Sequence, residues 1–401
     1  MVSIKDLLSG RGAELLESLP PYSETSIFGL TEQLRKAGHE PHLISEALTQ
    51  SRLRAKAQAK FGDFSSGLYF TPAGLEQATR LNVAAFHAQR FREEAQSQHV
   101  LDFGCGIGAD SIAFAGLNLN VTAVEMDDDA AAAASANLRY FPGARVIHAD
   151  GNSLDLASLG TDALWVDPAR RQGGKRIKDP EQWYPALSSA IAMAAEFASA
   201  GIKIAPGIDY TVLPRKSHVQ WISVDGDLVE AVVWLGDAAP QAGRSALILK
   251  DGRSHVFDSG SSDPRLPAIE LEPKELGDYI FEPDPAIIRS GSIMALADQH
   301  KISPVSSRIA YLTGDDEILS PFVSTFKVEC VCDLNPKVLR KTLAEKGIGR
   351  VEIKKRGTDI LPEELRKKLK LDPKQPHAAT IIATPLLGKH RAVISTRISE
   401  R

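Results

Sequence analysis

Between about 97 and 240, five short apolar runs alternate with runs of helix composition, and this alternation restricts the fold more than any other feature of the chain. The strand-like runs are "HVLDFG", "NVTAVEM", "ARVIHAD", "ALWVDP" and "GIKIAP". "ADSIAFAGLN", "DDAAAAASANLRYF" and "YPALSSAIAMAAEFASA" lie between them. Strand, helix, strand at this spacing predicts a parallel sheet with helices on both faces and right-handed crossovers. The rhythm then changes. "HVQWISVDGDLVEAVVWLG" is two β-rich runs flanking Asp225-Gly226, a hairpin signal, so the parallel sheet should close with an antiparallel strand.

The flanks differ in kind. Residues 1–92 carry amphipathic helical stretches separated by Pro and Gly, and Thr71-Pro72 reads as a helix start. A second Asp-Gly hairpin follows in "ALILKDGRSHVFD", then a Pro-, Gly- and Ser-rich segment. The expected division is a helical part at 1–92, a sheet domain at 93–260, a linker and connecting segment at 261–305, and a compact α+β domain at 306–401. Residues 311–401 hold 18 Lys+Arg against 12 Asp+Glu, a net +6, so the first 310 carry −10 of the chain's −4. A basic tail on an acidic body hints at nucleic acid.

Three cysteines lack disulfide or zinc spacing, and no metal site is expected. The N-terminus does not read as a signal peptide, and charges interrupt the apolar stretch at 184–206, so a cytoplasmic chain without a membrane span is expected.

"VLDFGCGIGAD" puts Asp102 just ahead of Gly104, Gly106 and Gly108. Ligands bind at the carboxyl ends of strands in open α/β sheets, and glycines let backbone approach them closely. A pyrophosphate beside Asp102 would meet a like charge in a partly desolvated site. S-adenosylmethionine carries an ammonium and a sulfonium and no phosphate, so the acid becomes attractive. Glu125 ends the second strand where a carboxylate can take ribose hydroxyls, and Asp150 ends the third near an adenine amine. His148, within a strand, reads as a packed core residue.

"VLDFGCGIGAD", "VEMDDDAAAAASANL", "VIHADG" and "ALWVDPARR" resemble class I S-adenosylmethionine-dependent methyltransferases. The resemblance implies a doubly wound, mainly parallel, seven-stranded Rossmann-like sheet whose last strand is antiparallel. It assigns cofactor contacts to Asp102, Gly104, Cys105, Gly106 and Gly108, to Glu125 with Met126, and to Asp150 with Gly151. "LYFTPAGLEQATR", "KIAPGIDY" and the tail "YLTGDDEILSP…KRGTDILPEELRKKLKL" resemble bacterial methyltransferases ending in a THUMP-like domain. That likeness adds Phe70 and Thr71 as a segment closing over the cofactor. It also implies structured RNA, transfer or ribosomal, as partner.

"VDPARR" is similar to the Asp/Asn-Pro-Pro-aromatic motif of methyltransferases acting on amines. There the acid and the first Pro carbonyl accept hydrogen bonds from the acceptor nitrogen. Asp167 and Pro168 fit, whereas Ala169 and Arg170 depart from the motif; Arg170 could stack on a base or hold a phosphate. Trp183 or Tyr184 could supply the missing aromatic surface. In the tail, Arg340, Lys341, Lys354, Lys355 and Arg356 lead a cluster of cations suited to phosphates. The function expected is methylation of an RNA base, at an exocyclic or ring nitrogen. The alternatives are a small-molecule or protein substrate, or a catalytically silent cofactor-binding RNA module.

Overall fold

The computed structural model describes residues 4–172 and 175–398, which divide into two compact units. Unit 1 comprises Met1–Ile204 with Val232–Pro240, and unit 2 comprises Ala205–Ala231 with Gln241–Arg401.

Unit 1 opens with helices Lys5–Leu8, Gly10–Ser18, Ile27–Lys36 and Pro41–Phe61. The last starts on Pro41, whose missing N–H costs nothing at that position, and buries Leu43, Ile44, Ala47, Leu53, Ala57 and Phe61 along one side. Gly62 ends it at φ 55°. Short helix Pro72–Gln77 and helix Leu81–Gln89 follow. Then come β1 (His99–Phe103), helix Ala109–Gly116, β2 (Asn120–Glu125), helix Asp128–Leu138, β3 (Ala144–His148), β4 (Ala163–Val166), helix Leu187–Ala194 and β5 (Ser199–Ile204). β1 pairs in parallel with β2 and β4, β2 with β3, and β4 with β5. The expected alternation of strand and helix is present, and two short 3-10 turns, Gly151–Ser153 and Leu156–Leu159, join β3 to β4.

β6 (His218–Val224) and β7 (Asp227–Gly236) join through Asp225 and Gly226 at φ 50° and 85°, the doubly left-handed turn that Asp-Gly favours. β7 crosses the division between units. Its Val232–Gly236 half lies beside β5, so unit 1 has the strand order β7-β5-β4-β1-β2-β3. In unit 2 the order is β7-β6-β8-β9, where β8 (Gly243–Lys250) runs parallel to β6 and β9 (Arg253–Asp258) returns antiparallel through Asp251-Gly252. In unit 2 the β6–β7 hairpin is thus accompanied by two further strands, β8 and β9.

Unit 2 also holds a seven-stranded sheet built from β10 (Tyr279–Pro283), β11 (Ser303–Pro304), β12 (Leu312–Gly314), β13 (Val323–Asp333), β14 (Ile348–Lys355), β15 (His377–Leu386) and β16 (Lys389–Ile398). Its order is β11-β12-β10-β13-β16-β15-β14, antiparallel except for β14 against β15. Helices Pro336–Glu345 and Pro362–Leu369 lay Leu339, Leu343, Leu365 and Leu369 over Val351, Ile353, Ile381 and Ile394. The expected connecting segment includes β10, a central strand of this sheet. Its Ile280 and Phe281 are fully buried, and strand pairing rather than loop composition decides its state.

The core of unit 1 is aromatic. Trp165 and Trp234 lie 5.8 Å apart by ring centroid, with Phe91, Phe114 and the His87 ring packed against them. Gly201 of β5 makes room for both indoles, because a Cβ there would sit 2.7 Å from the Trp165 ring and 2.8 Å from Trp234. Gly201→Ala should therefore cost about 1–3 kcal/mol of stability through overpacking. Urea unfolding monitored by tryptophan fluorescence reads this out, and an unchanged midpoint would contradict the packing described.

Candidate active site

The glycines lie in the loop that follows β1, with the ends of β2 and β4 beside it. Gly104 and Gly106 adopt φ 78° and 56°, a region that favours glycine, and a Cβ on Gly106 would meet nothing within 4 Å. A Cβ on Gly104 would approach only the carbonyl of Asp167, at 3.7 Å. The loop therefore offers bare backbone to open space beside the end of β4. Glu125 fixes its shape: Oε2 accepts from the Gly106 amide and Oε1 from the Asp127 amide, both at 2.8 Å. Gly108, at φ 82°, lets the next helix turn away with its own contact on Ala134 of helix Asp128–Leu138 rather than on a strand.

The segment before helix Pro72–Gln77 is pinned to this loop by side-chain amides. Asn137 accepts from the Tyr69 amide at 2.7 Å and donates to the carbonyls of Tyr69 and Ile107. Gln50 does the same for both backbone groups of Phe70. Gly74 presses on Ile107, since a Cβ would lie 2.4 Å from its Cγ2. Lys60 donates to the carbonyls of Leu75, Glu76 and Ala78 at 2.9, 2.8 and 2.7 Å, closing the end of that helix. Burial first, and the Lys203 charge second, pull its ammonium down to about 8.

Several of the expected residues are buried or bonded within the protein. Asp102 is 1% exposed and receives the Ser111 hydroxyl at 2.5 Å. Phe70 is 2% exposed and packs on Phe61 as core, and the Thr71 hydroxyl caps its helix by accepting from the Gly74 amide. Both shape the pinned segment, and Thr71 itself is half-buried. The expected core residue His148 is instead exposed, with Nε2 3.2 Å from the Met126 carbonyl oxygen. Burial, then the charges of Asp102 and Glu125, push the Cys105 thiol up, which leaves it a poor nucleophile.

Other residues do face outward. Gly104, Met126 and Asp150 are exposed, and Glu125 is half-buried. Gly151 is buried against the Phe103 ring. Asp150 accepts from the Asn152 amide and from the Tyr184 hydroxyl, each at 3.0 Å, and these bonds hold its carboxyl below the usual range. Of the two aromatics after "VDPARR", Trp183 is buried and Tyr184 is exposed. Tyr184 exchanges backbone hydrogen bonds with Ala169, which links the end of β4 to the Asp150 carboxylate. Arg170 stands 6.0 Å from the Trp183 ring centroid.

The sequence reading missed a line of charge behind Asp167. Lys203 of β5 is 4% exposed, and its ammonium donates to Asp167 Oδ2 at 2.9 Å and to the Thr79 hydroxyl at 2.8 Å. Thr79 in turn donates to Asp110 Oδ2, and His87 Nδ1 bonds Asp110 Oδ1, both at 2.8 Å. Burial pushes the Asp110 carboxyl up, but the hydrogen bond and charge of His87, with the Lys203 charge, outweigh it and hold the group below the usual range. The one signal in the sequence is a lysine inside the otherwise apolar strand "GIKIAP".

In the tail, Arg340, Lys341, Lys346, Arg350 and Lys355 are exposed. Lys341 pairs with Glu345 of its own helix at 3.8 Å, and Lys354 and Arg356 are both half-buried and paired. Glu282 of β10 takes both, at 2.8 and 3.9 Å, and the Lys354 ammonium and Arg356 guanidinium lie near the Phe326 and Tyr311 rings. Among the described residues no helix is long and apolar enough to cross a membrane, and no group of His, Cys, Asp or Glu is arranged to hold a metal.

Residues 323–397 match the THUMP domain-like family, and residues 1–57 match a domain of unknown function. An uncharacterized S-adenosylmethionine-dependent methyltransferase of Mycobacterium tuberculosis, from strains H37Rv and CDC 1551, is 29% identical over 351 residues. The match covers 85% of this chain and 92% of that protein. The chain is a homologue of S-adenosylmethionine-dependent methyltransferases. A crystal structure described as a candidate methyltransferase from Porphyromonas gingivalis W83 shares the fold, with a TM-score of 0.73 at 20% identity over 95% of this chain and 100% of that one. In this methyltransferase homologue the glycine loop presents bare backbone at Gly104 and Gly106, with Glu125 half-buried and Asp150 exposed.

Burial, then the Asp110 charge, drive the Asp102 carboxyl well above the usual aspartate range, against the pull of the Ser111 hydrogen bond. A folded value above the unfolded one gives a contribution to stability that is fully present below about pH 4 and lost as pH rises through the folded value. Asp102→Asn should accordingly raise the unfolding midpoint by roughly 2–6 °C at pH 7.5 and leave it unchanged near pH 4. Scanning calorimetry across that range checks the sign.

Proposed function

We propose that this protein transfers a methyl group from S-adenosylmethionine to a base nitrogen, exocyclic or in the ring, of structured RNA of the transfer or ribosomal class. The observation that carries the reading is the placement of Asp167. Its half-buried carboxylate ends β4 beside the bare backbone of Gly104, with Oδ2 tied to Lys203. Among the described residues Oδ1 has no hydrogen-bond partner, so it can accept from an acceptor N–H, and the Pro168 carbonyl can accept a second. Glu125 and Asp150 would hold the ribose and adenine of the donor, and the amides around Gly104 and Gly106 its methionine part. When bound, the donor supplies an electrophilic methyl group, so this chain's residues need chiefly to place and orient the nitrogen. Tyr184, exposed next to Ala169, offers the aromatic face that the motif lacks at its fourth position.

Two facts support RNA as the substrate. The C-terminal segment is THUMP domain-like, and exposed cations there can neutralise phosphates and release counterions. Arg340, Lys341 and Lys355 carry this role, with Lys346 and Arg350 beside them. Lys354 and Arg356 contribute less, because Glu282 already offsets their charge.

The test is incubation of the full chain with tritiated-methyl S-adenosylmethionine and total bacterial RNA, with and without ribonuclease. Ribonuclease-sensitive label is expected, and Asp167→Asn should lower its rate by about 100-fold or more. Label in protein or small molecules would replace the substrate, and tight cofactor binding without any label would mark a silent module.

A companion measurement addresses the tail. Arg340→Glu combined with Lys355→Glu should weaken RNA binding about tenfold at 0.1 M salt and flatten the salt dependence. Fluorescence anisotropy with labelled transfer RNA reads both.

A further inference from the structure

A buried ammonium must be paired, and the pairing of Lys203 is directional. On one side the ammonium donates to Asp167 Oδ2; on the other it donates to Thr79, whose single hydroxyl proton goes on to Asp110. Asp110 is locked from behind by His87, itself 1% exposed and stacked near Trp165. The cation is therefore anchored on its far side, and if Asp167 swung toward solvent the buried ammonium would lose that contact. The carboxylate is left with one oxygen for a substrate.

We infer that Lys203 is a positioning residue for Asp167: its ammonium fixes Oδ2, leaves Oδ1 alone to receive the acceptor's N–H, and is held in place by the line Thr79, Asp110 and His87. The inference rests on the reading of Asp167 as the group that positions the acceptor. Lys203 touches neither donor nor acceptor, and acts through the carboxylate. Charged groups near the pair include Asp102 on β1, Asp110 on helix Ala109–Gly116 with His87 behind it, and Lys60 at the end of helix Pro41–Phe61. Lys203 contacts Asp167 directly.

Two measurements on the full chain decide this. In protein labelled with 13C at the aspartate side-chain carboxyl, the Asp167 signal is assigned by its loss in Asp167→Asn and titrated by NMR. Lys203→Met should raise its midpoint by at least one pH unit; an unchanged midpoint overturns the inference whether or not RNA is methylated. In the total-RNA assay, Lys203→Met should transfer label about 10- to 100-fold more slowly at pH 7, with the acid limb of the rate profile moved to higher pH. The Kd for S-adenosylhomocysteine by calorimetry should stay within threefold of wild type. Unchanged rate and acid limb would overturn the positioning role. Should Lys203→Met fail to fold, Thr79→Val keeps both charges and removes only the anchor. It should show a three- to tenfold loss of rate with the same direction of shift, and wild-type behaviour there would also overturn the inference. If the wild-type chain labels no RNA, the substrate reading fails on its own, while the carboxyl titration still judges Lys203.

Discussion

Placing ions out of water costs several kcal/mol each unless they are paired, and unit 1 is organised around one such obligation. Asp110, Lys203 and the half-buried Asp167 are joined through the Thr79 hydroxyl into a line of alternating charge. Each member belongs to a different element: the turn before helix Leu81–Gln89, the helix after β1, the strand β5 and the end of β4. None can shift alone without exposing an unbalanced charge to apolar surroundings. The aromatic cluster of Trp165, Trp234, Phe91 and Phe114 packs against the same line through His87, so hydrophobic packing and charge pairing hold one geometry.

The glycine loop depends on a different device. Its backbone must be bare to admit a ligand, so its shape comes from neighbours. Glu125 clamps it from β2, and Asn137 ties the Ile107 carbonyl to the segment at Tyr69. Amide side chains suit this work because one group can donate and accept at once, meeting both polar groups of a peptide that would otherwise be buried unpaired. The result is a loop ordered from outside with its inner face open.

The C-terminal sheet shows the same physics applied to surface charge. Seven cations within residues 340–356 look equivalent along the chain, but β10 brings Glu282 beside two of them. Charge that is already paired releases fewer counterions, so affinity for a polyanion rests on the residues that remain exposed. β10 lies outside the segment that composition alone assigns to the tail, which is why the sequence pattern overstated the basic patch.

What the sequence by itself determined is what contiguous residues encode. The alternation of strand and helix, the left-handed glycines after β1 and the two Asp-Gly hairpins follow from local periodicity and from φ values few residues adopt. The carboxylates at the ends of β1 to β4 were legible for the same reason, as positions in a pattern. Tertiary structure alone decided which of those acids face open space, that β8 and β9 add to the sheet, and where the charges find partners. Lys203 meets Asp167 from 36 positions away and Thr79 from 124. Such pairs are chosen where desolvated surfaces meet in space, and no spacing along the chain records that.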